Sequence, residues 1–300
     1  MTAYLGVEVT RRDDGSMQLR QPSSIQKLLD LIGLDDTSNP SDTPAVVNPA
    51  PGKDGSPSTH KWSYASAVGI LLWLAFNTRP DIAFATSQAA RYMSSPKQPH
   101  YNLVVRIARY LLGTKDKGMI IKPNLDQPSF KIYVDASFAG DFCRDNPEVE
   151  TNPETVRSRS GHVLCYADVP LLWISKLQSE IALSTTEAEF IALSNSLRDI
   201  IPISTLLDEI STALKLTIPQ PEVLCTVFED NNGAIAIATT PKMRPRTKHL
   251  AIKYLHFLEH VQKGTIAIKH IATDVQLADQ LTHPLAATKF RQLRKLLMGW

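Results

Sequence analysis

Between residues 130 and 177 three runs in succession read as β-strands with no helix between them, and only afterwards do helix and strand alternate. FKIYVDASF alternates apolar and polar residues, and GHVLCYADVPLLWISKL reads as two further strands joined by a tight turn at Asp168–Pro170. TTEAEFIALSNSLRDIIPISTLLDEI then reads as a helix that Pro202 interrupts. EVLCTVFED is a strand, NNGAIAIA a short helix, RTKHLAIKYLHFLEHVQKG a longer helix and TIAIKHI a last strand before a helical end. The order β-β-β-α-β-α-α-β-α implies an α/β domain, a five-stranded mixed sheet with helices on its faces.

Residues 1–125 follow another pattern. AYLGVEVTRR and SMQLRQ flank an Asp-Asp-Gly turn and predict an N-terminal hairpin. PSSIQKLLDLIGL predicts a short helix, capped by Ser23 or Ser24 and ended by Gly33. Residues 36–61 are rich in Pro, Ser, Asp and Gly and read as a linker. Residues 61–118 predict three helices, with Pro80 opening the second and Pro96 just after its end. In the third, Leu103, Ile107, Tyr110 and Leu111 recur at helical spacing. The expected division is therefore 1–125, mainly helical, and 126–300, α/β.

The second part places acids where apolar chemistry is expected. Asp135 lies inside the apolar strand IYVDASF, where an unpaired carboxylate is costly. Asp230 ends the strand VLCTVFED, the end of an α/β sheet where ligands gather. Asp279, in QLADQL, is expected at the start of the terminal helix. In TTEAEF the helix buries Phe190, Leu193, Leu197 and Ile200. At about 100° per residue, Glu189 flanks that stripe by roughly 60° and Glu187 by roughly 100°. Glu189 is the acid that leans toward the sheet, and Glu187 is a first-turn acid facing water. Singly, Asp230 can cap a helix, Asp135 can be a paired core carboxylate and Asp279 a surface acid. As a set on one sheet they make sense as hard oxygen ligands for two Mg²⁺ ions, with Mn²⁺ as a substitute.

At these residues the sequence resembles the C-terminal part of the Pol polyprotein of copia-type LTR retrotransposons, the end of reverse transcriptase followed by ribonuclease H. The matching pieces, in order, include YLGVEV, YASAVGILLWLAFNTRPDIAFATSQAARYMSSP, ARYLLGTKDKGM, YVDASFAGD, SRSGHVL, ISKLQSEIALSTTEAEFIALS, EDNNGAIAIA, RTKHLAIKY and QLADQLTHPL. The resemblance implies a ribonuclease-H-like sheet of strand order 3-2-1-4-5 at 126–300. It implies a palm-end and thumb- or connection-like remnant at 1–125. Asp135, Glu189, Asp230 and Asp279 fall on the family's Asp-Glu-Asp-Asp set. The implied activity is metal-dependent endonucleolytic cleavage of the RNA strand of RNA–DNA hybrids. Two positions depart from the family pattern, Ala251 and Leu255, and the loop 139–160 is longer and more acidic than usual. No apolar-Asp-Asp hairpin precedes YLGVEV, so polymerase activity is not expected without an upstream polymerase portion of the same polyprotein.

Two other function classes share parts of this pattern: a catalytically inactive nucleic-acid-binding remnant, and an integrase-like transferase. The order of the acids argues against the transferase, because here the glutamate comes second, on the first helix after three strands. Lys242, Arg244, Arg246, Lys248 and His249 concentrate after the Asp230 strand and suit a phosphate backbone. A second basic group, Lys289, Arg291, Arg294 and Lys295, reads as a solvated helix face, and Trp73 and Trp173 read as core. Net charge is +2, too mild to identify a nucleic-acid partner by itself. Three widely spaced cysteines make neither a metal pattern nor a disulfide framework. With no signal-peptide run and no apolar stretch long enough to span a bilayer, an intracellular protein without a membrane partner is expected.

Overall fold

The computed structural model describes residues 3–47, 52–126, 128–140, 142, 153–215, 224–240 and 255–300. The chain forms two compact units. The first comprises 1–122, 140–156 and 283–300, and the second 123–139 and 157–282. The chain first passes from one unit to the other between residues 122 and 123. The expected contiguous second part is not observed, however, because the last 18 residues, His283–Trp300, join the first unit.

The first unit opens with strands β1 (Ala3–Tyr4), β2 (Val7–Arg11) and β3 (Met17–Arg20). Leu5 and Gly6, with φ of 49° and 80°, turn β1 into β2. Asp14 closes the β2–β3 turn by accepting from the Ser16 amide at 3.1 Å. Helices α1 (Pro22–Ile32), α2 (Tyr64–Asn77), α3 (Ala83–Ala90) and α4 (Gln98–Leu112) follow, and then strand β4 (Met119–Ile121). This strand pairs antiparallel with β3 and completes a four-stranded sheet that sequence reading missed. Gly33 ends α1 in the left-handed conformation, as expected. The helix starts at Pro22 with Gln21 as its unassisted cap, so neither Ser23 nor Ser24 has the capping role. Ile25, Leu28, Val68, Leu71, Val104, Ile107 and Leu111 form the core. The terminal helix Ala287–Met298 adds Phe290 and Leu293 to it, which is why that helix belongs to this unit. Trp73, expected in the core, is 42% exposed on α2.

A buried ion pair follows α2 in the chain. Arg79 Nε and Nη2 donate to the two carboxylate oxygens of Asp81 at 3.0 and 2.8 Å. Tyr110 Oη donates to the same carboxylate at 2.5 Å, and Arg79 Nη2 donates to Thr114 Oγ1 at 2.8 Å. Arg79 is fully buried and Asp81 almost so. Removing one partner strands a charge away from water, which costs about 3–5 kcal/mol. Asp81→Ala is expected to lower unfolding stability in urea by that amount, and a loss under about 1 kcal/mol would refute the pair's role as an anchor.

The second unit holds β5 (Phe130–Ser137), β6 (Arg159–Tyr166), β7 (Val169–Leu177), helix α5 (Thr185–Ala213), β8 (Cys225–Glu229), helix α6 (Asn232–Thr239), a short helix Leu258–Gln262 and β9 (Ile266–His270). The sheet order is β7-β6-β5-β8-β9, with β5 parallel to β8 and β8 parallel to β9. This α/β unit with a five-stranded mixed sheet is the architecture read from the sequence, and its strand order is the one the resemblance implies. The β6–β7 turn falls on Ala167 and Asp168, both at positive φ, and not on Asp168–Pro170. Pro170 lies within β7, tolerated because β7 is an edge strand and needs fewer donors. Phe130, Ile132 and Val134 of β5 and Cys225 and Val227 of β8 pack with Phe190, Leu193, Leu197 and Ile200 of α5. α5 continues through Pro202 to Ala213 instead of stopping there. It is long and apolar enough to cross a membrane by length and composition alone, but its apolar stripe is spent on this core. Of the expected helix from Arg246 to Gly264, residues 255–264 are described, and they are helical over Leu255–Phe257 and Leu258–Gln262.

Candidate metal centre

The β5–β8 ladder runs to Tyr133 opposite Phe228, and the two strands place their acids just beyond it. Asp135 is buried on β5, opposite Gly161 of β6. Asp230 follows β8 and is half-buried. Its neighbour Asn231 caps α6, accepting from the Ala234 amide at 3.0 Å, so Asp230 is not the helix cap. Instead, Thr273 Oγ1 donates to Asp230 Oδ2 at 2.7 Å.

Glu189 sits near the start of α5 and is buried, with 4% of its surface exposed. Its Oε2 has no hydrogen-bond partner among the described residues. Burial, followed by the charges of Asp135, Glu229 and Asp230, pushes its carboxyl up to about 11. Glu187 has a different task. Ser184 Oγ accepts from its amide at 3.2 Å, and its own Oε2 accepts from Leu183 N at 2.9 Å, a reciprocal cap of α5. Ser184 is thus the cap of α5.

Asp279 is buried in a separate 3₁₀ turn, Leu277–Leu281, not at the start of the terminal helix, which begins at Ala287. That turn lies against β5 and β6. A Cβ on Gly161 would come within 2.7 Å of Thr282 Cγ2 and 2.9 Å of Leu281 Cβ, so the close approach depends on the missing side chain.

Oxygens of Asp135, Glu189 and Asp230 lie within 4.8 Å of one another, and Asp135 and Asp279 satisfy the same limit. The structure thus brings together the four carboxylates singled out in the sequence, with Asp135 common to both groupings. Converging carboxylate oxygens, one of them a buried atom without a partner among the described residues, form a donor set for a hard divalent cation. Burying this much like charge without a cation is unfavourable, as the raised Glu189 carboxyl records.

No established family profile matches the chain. It is 34% identical over 289 residues, 96% of its length, to the Retrovirus-related Pol polyprotein from transposon RE1 of Arabidopsis thaliana. It is 30% identical over 301 residues, 98% of its length, to the corresponding polyprotein from transposon TNT 1-94 of Nicotiana tabacum. The chain belongs to the Pol polyproteins of copia-type retrotransposons. This Pol chain spans about a fifth of those relatives, 18% and 21% of their lengths. Among solved structures, the foamy viral protease-reverse transcriptase in complex with dsDNA is similar at a TM-score of 0.45 and 11% identity, over 90% of the Pol chain and 44% of that chain.

One carboxylate of the chain escaped sequence reading. Glu229 is fully buried, and its Oε1 accepts from the Asn231 amide at 3.0 Å. Burial, then Asp230 and Asp135, push its carboxyl up to about 8 against the pull of that amide. The signal was present: in CTVFE, Glu229 shares the inward face of Cys225 and Val227. The basic group Lys242, Arg244, Arg246, Lys248 and His249 lies outside the described residues. In the second basic group, Arg294 stacks on Trp300 at 3.8 Å and donates to Tyr110 Oη at 3.2 Å. It is therefore a packing residue, whereas Arg291 and Lys295 are exposed. Trp173 is buried, as expected.

Proposed function

We propose that the second unit is a ribonuclease H, a metal-dependent endonuclease that hydrolyses the RNA strand of RNA–DNA hybrids, within a retrotransposon reverse transcriptase. The observation that carries this reading is the convergence of Asp135, Glu189, Asp230 and Asp279 at the open ends of two parallel strands. The mixed sheet, with three antiparallel strands before its first helix, and the Pol relatives support it. The first unit is read as the palm-end and thumb- or connection-like remnant.

Asp135, Glu189, Asp230 and Asp279 would hold two Mg²⁺ ions, with Mn²⁺ as a substitute. Such ions supply a water of lowered pKa and neutralise charge on phosphate oxygens. The chain's residues do the rest. Asp135, shared between the two groupings, links the site's halves. The buried carboxylates repel a phosphate until cations are present, which makes productive binding metal-dependent. In the reaction, water oxygen bonds to phosphorus as the bond to the 3′-oxygen breaks. Choice of the RNA strand rests on 2′-hydroxyls and hybrid shape, since any base sequence must be accepted. Lys242, Arg244, Arg246, Lys248 and His249 are assigned to the phosphate backbone.

The test uses labelled RNA–DNA hybrid. The full chain is expected to cut the RNA strand in Mg²⁺ and not in EDTA. Glu189→Gln is expected to abolish cutting, while Glu187→Gln, whose amide oxygen can still accept from Leu183, keeps it near wild type. Binding without cutting in Mg²⁺ or Mn²⁺ would make the chain a nucleic-acid-binding remnant, and the reverse ranking of the two variants would overturn the assignment of Glu189.

A further inference from the structure

The segment from Thr273 to Thr282 does more than carry Asp279. Gln276, fully buried, directs its side-chain amide at both parallel strands. Nε2 lies 2.8 Å from the Val134 carbonyl oxygen on β5 and 3.3 Å from the Phe228 carbonyl oxygen on β8. A primary amide has two N–H groups, one for each strand. They bind where the β5–β8 ladder ends, one residue before Asp135 and two before Asp230. Past that point no backbone ladder fixes how far apart the two acids stand, and the Gln276 amide ties the strand ends together.

The same segment holds the carboxylates themselves. Thr282 Oγ1 donates to Asp135 Oδ2, and Thr273 Oγ1 donates to Asp230 Oδ2. The Thr282 hydroxyl also lies 3.0 Å from the Asp279 carbonyl oxygen. Its single proton favours the charged acceptor, because charge-assisted hydrogen bonds are the stronger kind. Gly161, opposite Asp135, lets Thr282 come this close.

We propose that Gln276 and Thr282 are positioning residues of the metal centre. Gln276 sets the separation of the Asp135 and Asp230 strand ends, and Thr282 fixes the orientation of the Asp135 carboxylate. The inference rests on the metal-centre reading above. Loss of a partner that orients a ligand commonly lowers metal affinity 10–100-fold.

The full chain is to be compared with Gln276→Met and Thr282→Val, which keep volume and remove the donor. Mn²⁺ affinity is measured by calorimetry, and unfolding in EDTA is measured alongside. Each variant is expected to bind Mn²⁺ at least about 10-fold more weakly than wild type. Val227→Ala, a core truncation on β8, lowers stability without touching a carboxylate, carbonyl or hydroxyl of the site, and is expected to keep wild-type affinity. Affinities of both variants within about twofold of wild type, or an equal loss in Val227→Ala, would overturn the proposal, the latter by showing that general destabilisation suffices. Should Gln276→Met not fold, Thr282→Val, which alters one exchange of hydroxyl for methyl, decides. A wild-type chain that binds no Mn²⁺ overturns the metal-centre reading itself, a result distinct from wild-type binding with unaffected variants.

Discussion

Asp135→Asn is expected to remove cleavage of an RNA–DNA hybrid while leaving hybrid binding intact or tighter. Asp135 is the acid whose oxygens lie within 4.8 Å both of Glu189 and Asp230 and of Asp279. Its loss therefore disables two groupings with one substitution. Asparagine keeps the shape, and its amide oxygen can still accept from the Thr282 hydroxyl, so the fold should persist. The rate loss should exceed the roughly 10–100-fold that removing a partner behind a metal ligand costs, because here a proposed ligand itself is removed. Binding should respond in the opposite direction, because a negative charge beside the phosphates is gone and like charges repel. Cleavage and gel-shift measurements on one preparation read both effects. A variant that retains more than about a tenth of the wild-type rate would remove Asp135 from the centre of the mechanism.

What the sequence made legible follows from how each feature is encoded. β5 and α5 carry their periodicity over enough residues to be read directly, and both pack as the pattern requires. Glu189 could be separated from Glu187 because the stripe from Phe190 to Ile200 fixes the helix's inner face. β4 was not legible, because Met119–Ile121 is too short to show alternation and is a strand only by pairing with β3. Pro202 and Pro170 mislead for one reason. A proline's local penalty is real, but a long packed helix and an edge strand can absorb the loss of one donor. The terminal helix is amphipathic in either setting, and only tertiary packing of Phe290 and Leu293 decides which core it joins. Likewise, QLADQL announces an acid but not the 3₁₀ turn that holds it, since that turn depends on the space left by Gly161.

Without divalent cations, the second unit should lose stability as pH rises from about 4.5 to about 8. Glu189 and Glu229 have an ordinary carboxyl value of 4.5, and the folded state raises them to about 11 and about 8. Across that window the folded chain holds protons that the unfolded chain has released. Stability therefore falls with pH, by up to ~1.4 kcal/mol per pH unit for each such group. Above about 8 only Glu189 still contributes. The acids whose values are lowered, among them Asp14 and Asp168, act in the opposite sense and only below the ordinary carboxylate range, so they do not mask the trend. Mg²⁺ bound by the proposed ligands would replace those protons, so its stabilising effect should grow over the same window. Glu189→Gln places a neutral amide there that can donate to the neighbouring carboxylates without taking up a proton on folding. In EDTA at pH 8 the Glu189→Gln variant should therefore be more stable than wild type, by an amount on the order of a few kcal/mol. Urea unfolding of both proteins at pH 5, 6.5 and 8, with and without Mg²⁺, measures this. A wild-type chain equally stable at pH 5 and pH 8 in EDTA, or a Glu189→Gln variant weaker than wild type at pH 8, would show that the carboxylate cluster is not held together against its own charge.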